Sequence, residues 1–129
     1  MEKLYEDEYI EIQYDSENHW IYSNWQNYQK LHTVQNGCEK MLAFLKEKKC
    51  TKVLNDNRLV KGTWSFASDW VAQDWFPRMV EAGLNQFSWI YSPDVFSKFS
   101  TDKSTQNTDG GIIMTFNNVE EGKAWLKSA

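Results

Sequence analysis

The apolar residues of this chain change their repeat near residue 30, and that change limits the folds open to it. From Glu8 to Asp15, Ile10, Ile12 and Tyr14 alternate with Glu11, Gln13 and Asp15, a period of two that places one strand face in a core and the other in water. Asp15-Ser16-Glu17-Asn18 reads as a turn. Trp20 and Tyr22 then point one way and Ile21, Ser23 and Trp25 the other, so residues 8–26 are expected to form an antiparallel hairpin. From Leu31 the repeat is three or four. Leu31, Val34, Cys38, Met41, Leu42 and Leu45 form one stripe, which predicts an amphipathic helix of about 18 residues. Lys46, Lys48 and Lys49 at its end suit the negative pole of the helix dipole.

Strand and helix patterns alternate from there. Lys52-Val53-Leu54-Asn55-Asp56 reads as a buried parallel strand that emerges in polar residues, followed by a loop over 57–63. Trp64 to Asp74 reads as a second helix with Trp70 in the core, capped by Thr63 or Ser65. Pro77 breaks or restarts it, and Gly83 closes it. Phe87 to Tyr91 is strand-like, Pro93 and Asp94 open a short helix or loop, and the polar run Ser100 to Asp109 is expected to be the most mobile segment. Ile112 to Phe116 reads as a final buried strand, and Asn118 with Glu121 matches the cap of a last helix carrying Val119, Trp125 and Leu126. The expectation is one α/β domain over 1–129. It has a single mixed five-stranded sheet, with strands near 8–15, 19–26, 52–56, 87–92 and 112–116, an N-terminal antiparallel hairpin and parallel βα units. Glu6-Asp7-Glu8 is expected to be a solvated, frayed terminus.

Composition narrows the classes of function. A hydrophobic fraction of 41%, with seven Trp, seven Phe and six Tyr, supplies a core without disulfide or metal. Cys38 and Cys50 read as reduced thiols, with Cys38 on the buried stripe of its helix. No stretch approaches the roughly 20 apolar residues of a membrane span, so no span is expected and the location expected is cytoplasmic. The net charge of −4 opposes nucleic-acid binding, which draws on Lys and Arg to neutralise phosphates. His19 and His32 lack metal-ligand spacing and read as surface residues, so no metal or cofactor is expected. No nucleophile elbow or phosphate-binding Gly-rich loop is present in the sequence.

The element order, the polar strand end at Asn55-Asp56 and the closing segment Phe116-Asn117-Asn118-Val119-Glu120-Glu121 with Trp125-Leu126 resemble the STAS-like, SpoIIAA-like domains. They are similar in particular to small stand-alone bacterial members whose fold is compared with CRAL-TRIO lipid-binding domains. Leu54 to Asn57, Gly62 to Ser65 and Trp75 to Met79 also look like that subgroup. The resemblance implies a regulatory or interaction module. In its anti-sigma-factor antagonists, an Asp ending the central strand precedes a phosphorylatable Ser. Asp56 matches the Asp, but Asn57-Arg58 follows it, and the nearest hydroxyls at a helix start are Thr63 and Ser65.

If the strands are parallel, their carboxyl ends gather Asn55, Asp56 and Asn57, then Tyr91 and Ser92, with Thr63, Trp64 and Ser65 at a helix start beside them. A helix start suits an anionic group. The same residues also serve as ordinary caps and turns, and both readings stand. Trp64, Trp70, Trp75 and Phe76 are either core or the wall of an apolar pocket, and because Trp64 and Trp75 share no narrow stripe, at least one is expected to face a cavity or solvent. Asp56 could pair with Asp69 or Asp74. Three functions are open to such a chain: a non-enzymatic STAS-like regulatory or interaction module, a small carrier of a lipid-like or other apolar ligand between helices and sheet, or an enzyme. The partners expected are a protein, a second copy in a homodimer, or a small apolar or anionic ligand.

Overall fold

The computed structural model describes residues 1–105 and 111–128. Six strands lie in the order β1 to β6 with no exchange of neighbours: β1 Glu2–Glu6, β2 Ile10–Asp15, β3 Trp20–Tyr28, β4 Lys52–Lys61, β5 Gln86–Ile90 and β6 Ile113–Phe116. β1, β2 and β3 pair antiparallel, whereas β3 to β6 pair in parallel, so the sheet is mixed as expected. The sixth strand is the correction. Of the run Glu6-Asp7-Glu8 expected to fray, Glu6 ends a strand, Glu2–Glu6, that pairs along β2 with a register shift between Lys3 and Tyr5, and Asp7 accepts the Tyr9 and Ile10 N–H in the turn that follows. That bulge lets the adjacent Leu4 and Tyr5 both pack on the core, so the strand shows no period of two.

The first helix, α1, spans Leu31–Lys48 and buries Val34, Cys38, Met41 and Leu45 against the sheet. Residues 65–81 form a composite rather than one helix: a 3-10 turn at Ser65–Ala67, α2 at Ser68–Trp70, a π turn at Val71–Trp75 and α3 at Phe76–Glu81. Pro77 restarts the helix, as expected. Lacking an N–H, it cannot donate to Gln73, and the wide turn before it is closed by the Phe76 N–H on the carbonyl of Val71. Trp70 is only partly buried, on the core's rim under Arg78, because the widened turn rotates Val71 and Trp75 inward instead.

Helix α4, Val95–Thr105, is the helix of the two alternatives expected after Pro93 and Asp94, extended into the polar run, and the rest of that run, 106–109, lies outside the described residues. β6 is partly open rather than buried, with Met114 exposed. Helix α5, Val119–Lys127, is capped as expected by Asn118, whose Oδ1 accepts the Glu121 N–H at 2.9 Å.

The sheet therefore has two unequal faces. Ile10 and Ile12 of β2, Ile21 and Trp25 of β3, Val53 of β4, and Phe87 and Trp89 of β5 meet α1 and the 65–81 composite in the main core. The opposite parity, Trp20, Leu54 and Ile90, meets Leu126 of α5 in a smaller one. Cys38 and Cys50 are both buried and unpaired. Among the described residues no helix is long and apolar enough to cross a membrane.

Candidate functional site

β4 is the strand that organises the site. The sequence pattern ends it at Asp56, yet it continues to Lys61 paired with β3. Between Asp56 and Leu59 the register slips: two β4 residues, Asn57 and Arg58, lie opposite the single Trp25 of β3. The bulge re-aims the side chains beyond it. Asn55, Asn57 and Val60 consequently all face the helix side, where a strictly alternating strand would have sent Val60 the other way.

Those three side chains line a cavity of about 30 Å³ between sheet and helices. Trp25, Phe87 and Trp89 complete the sheet wall, Gln29, Val34 and Cys38 close the α1 side, and Trp64, Val71 and Trp75 supply the remainder. Trp64 lies stacked on Trp89, ring centroids 5.9 Å apart and planes 14° from parallel. Phe87 meets Trp75 and Trp89 edge to face. The π turn faces this cavity through Val71 and Trp75, in keeping with the placing of such turns at functional sites.

Most polar groups around the cavity have partners. The Trp25 indole N–H donates to Asn55 Oδ1 at 2.9 Å, and Asn55 Nδ2 donates to Asn57 Oδ1 at 3.2 Å. Trp75 Nε1 donates to the carbonyl of Cys38 at 2.7 Å. Gln29 donates to the carbonyls of Tyr9 and Gln26 and accepts from Thr33. Two donors differ. The indole nitrogens of Trp64 and Trp89 are buried and have no hydrogen-bond partner among the described residues. A buried donor left unpaired costs about 1–3 kcal/mol, so two on residues that line the same cavity need an explanation.

Asp56 projects from the other face of β4 and is 1% exposed. It accepts from Tyr22 Oη at 2.7 Å, from Arg58 Nε at 3.0 Å and from Arg58 Nη2 at 2.8 Å, while Arg58 itself is half exposed. Burial alone would raise this carboxyl, but the bonds from Arg58 and Tyr22 outweigh it and hold it below its ordinary value. The Tyr22 hydroxyl is pushed up, first by burial and then by its bond to Asp56. Asp56 is thus tied into an ion pair with Arg58, whereas Asp74 is paired with Arg78.

The expected cluster at the strand ends therefore divides. Asn55, Asn57 and Trp64 share the cavity, and Asp56 lies across the sheet from them. Thr63 and Ser65 bond each other, and Thr63 also reaches Ser100, whose Oγ accepts the Trp64 backbone N–H at 3.0 Å. Ser92 donates to the carbonyl of Val60 at 2.7 Å and accepts the Asp94 N–H, a strand-closing role. The Tyr91 hydroxyl donates to Asp102 beneath the Lys98 ammonium. Tyr91 and Ser92 border instead a second, separate depression of about 400 Å³, with Arg58, Pro93 and Asn117. Trp64 and Trp75 both face the cavity.

Sequence reasoning does not single out Trp25, Gln29 or Trp89 for the site. Trp25 shares the parity of Ile21, and Trp89 that of Phe87, so strand parity is the signal that could have found two of them.

Fold and site together define a mixed α/β domain with a tryptophan-walled cavity on its principal helix face. No protein-family model, curated protein or solved structure matches the chain.

Proposed function

We propose that this chain is a non-catalytic binding module that takes up a small molecule in the tryptophan-walled cavity between the sheet and α1. The observation that carries this reading is that two residues lining the cavity, Trp64 and Trp89, each keep a buried indole N–H without a partner among the described residues. A ligand with an acceptor would satisfy such a donor, and the apolar remainder of the wall is the usual lining of a small-molecule site. The STAS-like resemblance belongs to the same proposal, supported by the sequential parallel order from β3 to β6. The phosphoserine switch it implies draws no support, because Asp56 is sealed by Tyr22 and Arg58 inside a continuing strand.

Native mass spectrometry tests the reading. Protein isolated from its own host is expected to carry an additional non-covalent mass, and the same protein unfolded and refolded in clean buffer is expected to lose it and melt at a lower temperature. Identical masses and melting temperatures before and after would overturn the proposal.

A further inference from the structure

Resting on the reading of the cavity as a ligand site, we infer that its occupant is a neutral, planar molecule carrying a hydrogen-bond acceptor, received against the face of Trp89 as Trp64 withdraws. Three observations define this class.

The first is charge. Among the described residues no Asp, Glu, Lys, Arg or His lines the cavity, so an ionic guest would lie buried without a counter-charge, which is strongly unfavourable. The anionic ligand considered from the sequence does not suit this wall. The second is polarity. Trp25, Trp75, Asn55 and Gln29 are engaged with protein partners, and the unpartnered groups, Trp64 Nε1 and Trp89 Nε1, are both donors. An indole N–H only donates, so the guest must accept.

The third is shape. A cavity of about 30 Å³ has the volume share of a single water, so a ring enters only by displacing a wall. Trp25 and Trp75 are held by indole hydrogen bonds, and Phe87 and Trp89 sit within β5. Trp64 is different: it stands between β4 and the 3-10 turn, and its indole bonds nothing among the described residues. Its backbone stays anchored on Ser100, while Gly62 two residues before it has φ of 70°. A planar guest that replaces Trp64 on Trp89 exchanges one stacked ring for another and so loses little contact.

The test uses the indole N–H resonances of ¹⁵N-labelled protein, seven in number because there are seven Trp, with two of them assigned through Trp64→Phe and Trp89→Phe. Three probes of similar size are titrated: acetophenone, which is neutral with an acceptor; ethylbenzene, which lacks the acceptor; and benzoate, which is charged. Acetophenone is expected to move the Trp64 or Trp89 resonance downfield and saturably, binding about tenfold more tightly than ethylbenzene, with no saturable response to benzoate. In Trp89→Phe the advantage of acetophenone over ethylbenzene should shrink. Equal binding of ethylbenzene, or saturable binding of benzoate, overturns the ligand class and leaves the site standing. If none of the three moves either resonance, the site itself falls, as a cavity sized for a bridging water only.

Discussion

Gly37 lies inside α1, where replacing Gly by Ala normally stabilises by about 1 kcal/mol. Here the sign should reverse. A methyl group at Gly37 would stand 2.4 Å from Cη2 and 2.7 Å from Cζ3 of Trp25, and 3.3 Å from Cδ1 of Ile10. Ordinary carbon contacts begin near 3.5 Å, so the indole or the helix must retreat by about 1 Å. Trp25 is not free to comply, because its N–H is bonded to Asn55 on the cavity wall. Overpacking costs about 1–3 kcal/mol, and a weakened buried hydrogen bond adds about 0.5–1.5 kcal/mol. After the gain in helix propensity, Gly37→Ala is expected to lose about 2 kcal/mol and to melt about 6–10 °C lower. Urea unfolding followed by tryptophan fluorescence gives the midpoint shift, and the Trp25 indole resonance reports the ring's displacement. A variant as stable as the parent, with that resonance unmoved, would refute the reasoning, since α1 would then have yielded at no cost.

Two further outcomes rest on the buried groups. Arg58→Ala strands the Asp56 carboxylate with Tyr22 and a backbone N–H, and because Arg58 is half exposed and water partly replaces it, the loss should be about 1–2 kcal/mol at pH 7. Asp56's folded pKa is lowered, so its contribution is present above the unfolded value of 3.8 and disappears as pH falls through the lower folded value; the gap between parent and variant should narrow below pH 4, and an unchanged gap at pH 3 would refute the pairing. The Cys38 thiol, buried and pushed well above 9.0 by burial and then by Glu39, should react with a thiol reagent only when α1 opens, and labelling at the unfolded rate in native buffer would contradict its placement.

The fold is legible in the sequence wherever one period runs long enough to be unambiguous. α1 is read at its true length because its stripe continues through four turns from Leu31 to Leu45, and β2 because Ile10, Ile12 and Tyr14 alternate without interruption. β1 escapes such reading for the converse reason. A bulge brings neighbouring Leu4 and Tyr5 onto one side, and an edge strand rich in Glu and Lys looks like a solvated tail. The 65–81 segment reads as helical, but its 3-10 and π turns arise from how Pro77 and the packing of Trp75 on Phe87 rephase the backbone, and propensity carries no trace of that.

Of the residues expected at the site, only Asn55, Asn57 and Trp64 line the cavity, and β4 shows why the sequence does not convey the geometry. In sequence, Asn55, Asp56 and Asn57 look like one polar strand end, because three polar residues after an apolar run ordinarily mark the exit from a sheet. In a continuing strand, however, successive residues face opposite sides, so the same three must divide two against one. What extends β4 is its long neighbour: β3 reaches Tyr28 and offers a pairing edge as far as Lys61, so the backbone of 57–61 is satisfied in the sheet rather than in solvent. The polar side chains then need partners of their own on each side. On the α5 face Asp56 finds Tyr22 and Arg58, and on the α1 face Asn55 and Asn57 find Trp25 and one another. Strand length, decided by a neighbour about 30 residues away in sequence, therefore separates the ion pair from the cavity, whose lining residues Trp64 and Trp89 keep buried indole donors with no hydrogen-bond partner among the described residues.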